Sequence, residues 1–240
     1  MLALFPFLFS FLLYLLTLTP TVGLHDSGDM TTACFTMGIC HPTGYPLYTI
    51  FGKLFITLVP IGSIAYRMNC LSAIFASLCV MMVYFISRQL SAVSYQQNPE
   101  KKSAIYNLQS AIPALVASLT LAFSTTFWEQ AVISEKYTLN AFFFSLLTYL
   151  LLKIQNFASQ DTSYAKFKIQ NYLYLLAFVL GLSFAHHFQT TYIIPGGIFF
   201  IIATLWKAQR HRGTKAQRHK GIEAQRESGV WSLESGVGKQ

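Results

Sequence analysis

The sequence predicts an all-α integral membrane protein with about six transmembrane helices. Composition is the first observation: of 240 residues, 53% are hydrophobic and 11% charged, where a soluble domain carries about a quarter charged residues. The second is mean hydropathy, which is +0.45. The third is a recurrence of apolar runs near the ~20 residues that cross a bilayer. Abundant Phe and Tyr suit helices that face lipid and its interfaces.

Residues 1–22 are apolar apart from Ser and Thr, and no Lys or Arg precedes Lys53. A cleaved signal peptide has a basic start and a shorter apolar core, so this run reads as an uncleaved first span. Residues 48–60 are apolar but short and read as a helix lying in the interface. Further spans are read at 69–86, closed by Arg88, at 111–127, at 139–152, closed by Lys153, at 172–185 and at 190–206. Some of these are shorter than a full crossing. The last two are parted by His186-His187-Phe188-Gln189.

Loop cations set orientation, because Lys and Arg favour the cytoplasmic side. Arg88, Lys101 and Lys102 mark one loop, and Lys153, Lys166 and Lys168 another. With alternating spans both loops lie on the cytoplasmic side, as does the N-terminus. The segment after the first span, the loop around 128–137 and the His186-His187 turn then share the opposite, extracytoplasmic surface. Placement of charge, independent of any motif, thus gathers the three chemically richest segments.

The chain divides at 206. Residues 1–206 form the transmembrane region, with a first extracytoplasmic loop at about 23–68. Residues 207–240 repeat in eights, KAQRHRGT, KAQRHKGI, EAQRESGV, and hold eight Lys/Arg against three Glu, over half of the net charge of +8. Known repeat folds use ~20–50 residues per unit, so this tail reads as low-complexity and disordered. Its abrupt start reads as a repeat element translated in place of the natural continuation, which makes the chain a truncated one. The net charge therefore carries no nucleic-acid reading, for no basic reader motif is present. The four cysteines form no C-x-x-C pair, so neither a zinc ribbon nor a thioredoxin motif is supported. Cys70 and Cys79 read as packing residues, and Cys34 and Cys40 lie close enough in sequence to meet.

The segment "LHDSGDMTTACFTMGICHPTGYPLY" at 24–48 carries the chemistry. Asp26 and Asp29 share a helix face if the segment is helical. Two readings are open: Asp26 caps a helix, or it is a general base beside the membrane, its pKa tuned upward by partial burial. His41 sits in a turn stiffened by Pro42 and Pro46 and relaxed by Gly44. It can bind a phosphate, orient a carboxylate or ligate a metal. Tyr45 and Tyr48 read as interface anchors or sugar platforms. Glu129 and Glu135 flank a loop with Trp128, Lys136, Tyr137 and Asn140, a group suited to hydroxyl and phosphate recognition. His186 and His187 stand at a helix end. No phosphate loop, H-E-x-x-H or Ser-His-Asp pattern is present.

Three segments resemble a known family. "HDSGDMTTACFTMGICHPTGYPLYTIFGKLF" is similar to the D-S-G-E/D…H-P-P-G-Y-P-L segment of a family of GT-C-type multispanning glycosyltransferases. That family includes the animal transmembrane O-mannosyltransferase acting on plexin-type receptors. "FWEQAVISEKYTLNAFF" resembles its W-x-Q-A-x-x-A-E-x-Y-T-L-N segment, and "GLSFAHHFQTTYIIPG" its G-L-(S/A)-x-x-(N/H)-H segment. The likeness covers residues 1 to about 205. Asp29 stands where Glu is commoner, Thr43 where Pro is, and Ser134 where Ala is. The resemblance implies a GT-C-like N-terminal portion in a bacterial inner membrane or the ER, its site extracytoplasmic or lumenal. It implies sugar transfer from a polyprenyl- or dolichyl-phosphate donor to a protein or glycan hydroxyl. Asp26 and Asp29 are then the catalytic candidates. His41, Tyr45, Glu135, Lys136, Tyr137, Asn140, His186 and His187 are the substrate-binding candidates. No cofactor is required, though Asp26, Asp29 and His41 can together hold a divalent metal. The alternatives are a non-catalytic truncated membrane protein, a transporter or a lipid-binding protein. A transporter places ionisable groups near mid-membrane, and here they lie at span ends.

Overall fold

The computed structural model describes residues 4–42, 44–95, 104–158, 160 and 162–204, with 206, 209, 217 and 223 beyond them. Thr43, Lys101, Lys102 and nearly all of the eight-residue repeats lie outside the described residues. Among those described, all regular structure is helical: α1 (Leu4–Leu16), α2 (Ser27–Thr36), α3 (Pro46–Leu58), α4 (Ile64–Tyr95), α5 (Ala104–Ala122), α6 (Thr125–Ala131), α7 (Tyr137–Ala158) and α8 (Ser163–His186). A 3-10 turn at Phe188–Tyr192 runs on into a last helix, the two together spanning Phe188–Thr204.

Among the described residues three helices, α4, α7 and α8, are long and apolar enough to cross a membrane, against the six expected. The α5–α6 pair makes a fourth if counted as one span, bent by 67° at a break. Ser124 causes that break by taking an extended conformation. α1 has 13 residues. Its helix stops before Pro20, whose ring disfavours helical geometry in the residue ahead of it. The short helix expected at 48–60 is present as α3, which starts two residues earlier, and the segment carrying Asp29 is helical as α2. α3 begins with Pro46 at its first turn, where the missing N–H costs nothing.

α4 is the central element and packs against α1, α5 and α7. Ala73 and Ala76 keep its surface low where Tyr14 of α1 and Trp128 of α6 come in. Tyr14 donates its hydroxyl to the Ala122 carbonyl at 3.0 Å, tying α1 to the end of α5. A second core joins α2, α3, α4, α7 and α8 through Met30, Cys34, Tyr48, Met68, Leu139, Phe143 and Val179. Gly52 allows this: a Cβ there runs into Cys34 and Met68. The four cysteines are free thiols.

The chain between α1 and α2 is laced down before it reaches the acids. Buried Asn69 donates to the carbonyls of Thr19 (2.7 Å) and Thr21 (2.9 Å). The Thr19 N–H donates to the Val132 carbonyl at 3.1 Å, and the Trp128 indole N–H to the Thr17 hydroxyl at 2.9 Å. These bonds set residues 24–29 directly over the α6–α7 connection.

Candidate functional site

Four pieces of chain meet at one end of the bundle. They are the start of α2, the turn before α3, the α6–α7 connection and the end of α8. At their centre Lys136 donates to Asp26 Oδ2 at 2.5 Å. Asp26 precedes α2, but its side chain makes no cap. The helix-cap reading therefore fails, because the carboxylate reaches across the fold to Lys136 instead.

His41 bridges the two aspartates. Its backbone N–H and ring Nδ1–H both donate to Asp29 Oδ2, at 3.1 and 2.7 Å. That turns Nε2 inward, 3.4 Å from Lys136 Nζ and 3.5 Å from the Tyr45 hydroxyl. His41 Nε2 is 3.5 Å from Asp26 Oδ2. Asp26, Asp29 and His41 keep 45%, 46% and 36% of their side-chain surface open to solvent. The turn is tight, as its prolines and glycine predict: Gly44 has φ +95° and Tyr45 φ +42°. A left-handed tyrosine is unusual. Here it swings the ring over His41 and His187, with centroids 5.4 and 5.2 Å away.

Below this open rim lies a buried wall. Glu135 is 1% and Lys136 3% exposed. Glu135 Oε1 accepts the Asp26 backbone N–H at 3.0 Å. Glu135 Oε2 lies 3.7 Å from Lys136 Nζ and has no hydrogen-bond partner. The Glu135 N–H donates to the Ser72 hydroxyl of α4 at 3.3 Å. Ser134 is held by the Tyr48 hydroxyl at 3.0 Å. His186 donates Nε2–H to the Lys136 carbonyl at 3.0 Å. The Lys136 ammonium lies 5.3 and 4.9 Å from the Tyr45 and Tyr137 ring centres, within cation–π range.

The electrostatics differ from the expected upward tuning of Asp26. The Lys136 hydrogen bond holds the Asp26 carboxyl below its ordinary value, and the His41 hydrogen bonds do the same for Asp29. Glu135 goes the other way, pushed up by burial against the opposing charge of Lys136. Burial works to lower the Lys136 ammonium, but the Asp26 hydrogen bond and the Glu135 charge outweigh it and the net shift is upward. His187 is lowered by burial and then by Lys136. Its Nδ1 accepts the Gln189 N–H at 3.0 Å, capping the turn that follows α8.

The site thus gathers Asp26, Asp29, His41, Tyr45, Glu135, Lys136, Tyr137, His186 and His187. Asn140 stands apart, its amide donating to the Gln189 side chain at 3.1 Å. Glu129 is drawn outward to His25, 3.4 Å away at the surface. Among the described residues no three His, Cys, Asp or Glu side chains are grouped so as to hold a metal ion. Asn69, Ser72 and Gln189 were not singled out from the sequence. A lone Asn or Ser in an apolar run is the signal that marks the first two.

The family model described as Protein O-mannosyl-transferase TMEM260 N-terminal domain matches residues 26–210. The mouse (Mus musculus) Protein O-mannosyl-transferase TMEM260 is 30% identical over 142 residues, covering 59% of this chain and 18% of the mouse protein. The Dictyostelium discoideum Protein O-mannosyl-transferase tmem260 is 23% identical over 182 residues, 73% of this chain and 20% of the relative. The chain spans about a fifth of the length of these curated relatives. No solved structure matches it.

Proposed function

The chain belongs to the TMEM260 protein O-mannosyl-transferase family, and we propose that it carries the catalytic wall of a membrane glycosyltransferase. The donor is a mannose linked to a polyprenyl or dolichyl phosphate, and the acceptor a protein or glycan hydroxyl. The observation that supports this most is the convergence of Asp26, His41 and Lys136 from separate segments at one end of the helices. A membrane-anchored phosphate arrives at such a place.

In this reading Asp26 accepts the proton of the acceptor hydroxyl. The hydroxyl oxygen attacks the anomeric carbon as the bond to the lipid phosphate oxygen breaks, and the phosphate leaves with that electron pair. One displacement inverts the sugar's anomeric configuration. Lys136 is the cation nearest the site and steadies the leaving phosphate, a use of preorganised charge. Asp29 orients His41, whose Nε2 faces the same space. Tyr45 and Tyr137 present ring faces to the sugar. Asp26 and Asp29 are both engaged by nitrogen donors, which favours a metal-free route.

The reading extends to architecture. α1, α4, the α5–α6 pair, α7, α8 and the Phe188–Thr204 helix make six crossings of a GT-C-type N-terminal portion. The site faces the ER lumen or the outside of a bacterial inner membrane. Residues 207–240 are a separate low-complexity tail. Ionisable groups at helix ends, away from mid-span, speak against the transporter alternative.

The test uses the full chain in lipid nanodiscs with labelled polyprenyl-phosphate mannose. Saturable donor binding, and transfer to a hydroxyl-bearing peptide, are the expected results. Failure of both binding and transfer sinks the proposal. Cysteine labelling at His25 and Lys166 gives the topology; labelling from the same side defeats it.

A further inference from the structure

Glu135 is not spoken for by the transfer step just described, yet it is the most deeply buried acid at the site. One of its oxygens holds the Asp26 peptide N–H at 3.0 Å. The other has no hydrogen-bond partner and points to within 3.7 Å of the Lys136 ammonium. That ammonium is itself hydrogen-bonded to Asp26 at 2.5 Å. One cation therefore stands between two carboxylates, bonded to the exposed one and within reach of the buried one. A buried polar atom left unpaired is rare and costly, and a charged hydrogen bond closes at about 2.8 Å. A shift of about 1 Å in the ammonium turns the 3.7 Å approach into such a bond.

We infer that Glu135 is a positioning residue, a second seat that takes the Lys136 ammonium when Asp26 becomes protonated. This rests on the reading of Asp26 as proton acceptor. Proton uptake removes the negative charge that Lys136 is bonded to. Until the leaving phosphate carries its full charge, that step strands a buried cation if no second carboxylate is at hand, and Asp26 resists it. With Glu135 in place, the cation exchanges one carboxylate for the other, and the proton transfer proceeds against a smaller penalty. Asp26 thereby regains the basicity that its bond to Lys136 takes away.

The other groups around Lys136 cannot serve. His41 offers an imidazole nitrogen, and no anion, at 3.4 Å, and Tyr45 and Tyr137 offer ring faces. His186 and His187 are imidazoles. Asp29 is already engaged by two donors of His41. Among the described residues Glu135 is the remaining carboxylate at the ammonium. Its hold on Asp26 also fixes the spacing of the two seats, because one of its oxygens anchors the aspartate backbone while the other faces the cation.

The experiment reads Lys136 directly and needs no sugar transfer. The full chain is placed in nanodiscs, and acylation of Lys136 by acetic anhydride is followed by peptide mass spectrometry. Wild type, Asp26→Asn, Glu135→Gln and the double variant are compared. Each single variant should label within about threefold of wild type, and the double variant more than tenfold faster, a strongly non-additive cycle. Asp26→Asn labelling as fast as the double variant overturns the inference, as do two single effects that merely add. Substitution of a buried acid can disturb the fold, so the Asp26→Asn protein is also read by the nitrogen-15 signal of Lys136. A paired ammonium there supports the second seat, and a free solvent-like amine signal overturns it. If the second seat holds but no mannose is transferred, the fault lies with the transferase reading and not with Glu135.

Discussion

The site has a rim and a wall, built from the same residue types and behaving in opposite ways. On the rim, Asp26, Asp29 and His41 keep roughly a third to a half of their side-chain surface in solvent. In the wall, Glu135 and Lys136 are almost wholly enclosed. Hydrogen-bond donors push the rim carboxyls down, and burial pushes Glu135 up. The lesson is one of division of labour. A buried acid that anchors a backbone N–H shapes the site, and a half-open acid can meet an incoming hydroxyl. Asp26 is the residue where the two regions join, since its side chain faces solvent while its N–H and its carboxylate are both held from the wall.

The largest effect should follow from removing that junction. Asp26→Asn keeps the shape and loses the proton acceptor, and loss of a general base typically costs about 10²–10⁴-fold in rate. Transfer should fall by that much while membrane insertion and yield hold, since a half-exposed side chain contributes little packing. Near-wild-type transfer moves the base to Asp29 or Glu135 and erases the distinction drawn between rim and wall. Next in size is Lys136→Met. It leaves Glu135 enclosed without its cation, and breaking a buried charge pair costs about 3–5 kcal/mol. Denaturation in detergent should show a much lower midpoint. An unchanged midpoint means that the wall is not the charged structure described.

The bundle was legible in the sequence, and the division into rim and wall was not. Apolar runs gave α4, α7 and α8 because nothing in them competes with helix. They gave a poorer account of α5 and α6, where Ser124 breaks what reads as one run, and of α1, where Pro20 ends the helix early. The three segments that charge placement put on one surface do come together. Within them, Glu129 and Glu135 look alike in sequence. Only three-dimensional packing sends one out to His25 and encloses the other beneath Asp26. The capping reading of Asp26 failed for the same reason: local preference favours a cap, and a tertiary partner, Lys136, outbids it. Asn69, which ties down the approach to Asp26, announces itself only as one polar residue in an apolar helix.

A smaller effect concerns pH. With its carboxyl lowered by Lys136, Asp26 stays ionised below the ordinary aspartate range. The acid limb of kcat/KM should therefore lie below that range, and Lys136→Met should move it up, because the anion loses its cation. A limb that stays put in the variant separates Asp26 from Lys136. The stability contribution has the same sign. A depressed carboxyl stabilises above its unfolded-state pKa, and that stability is lost as pH falls through the folded-state value. Asp29→Asn removes the carboxylate that orients His41. It should raise the KM for donor by about threefold to tenfold and leave kcat closer to wild type. A loss as severe as that of Asp26→Asn points to a shared metal, and metal removal by a chelator would then abolish transfer in the wild type too.

The smallest effect should come from the rim's outermost pair. Glu129 faces His25 at 3.4 Å with more than half of each side chain exposed. Exposed ion pairs are worth about 0–1 kcal/mol, because water screens the charges and two mobile side chains must be held still. Glu129 touches neither Lys136 nor Asp26 among the contacts of the site. Glu129→Gln should therefore leave transfer within about twofold of wild type, and the unfolding free energy within about 0.5 kcal/mol. The substitution matters because it is chemically the same as Glu135→Gln in the same short stretch of chain. If the two variants behave alike, burial is not what separates the regions, and the roles assigned to wall and rim collapse together. If Glu129→Gln is silent while Glu135→Gln, which alters the anchor of the Asp26 N–H, slows transfer, the boundary between them runs through the α6–α7 connection, where α6 ends at Ala131 and the chain turns inward.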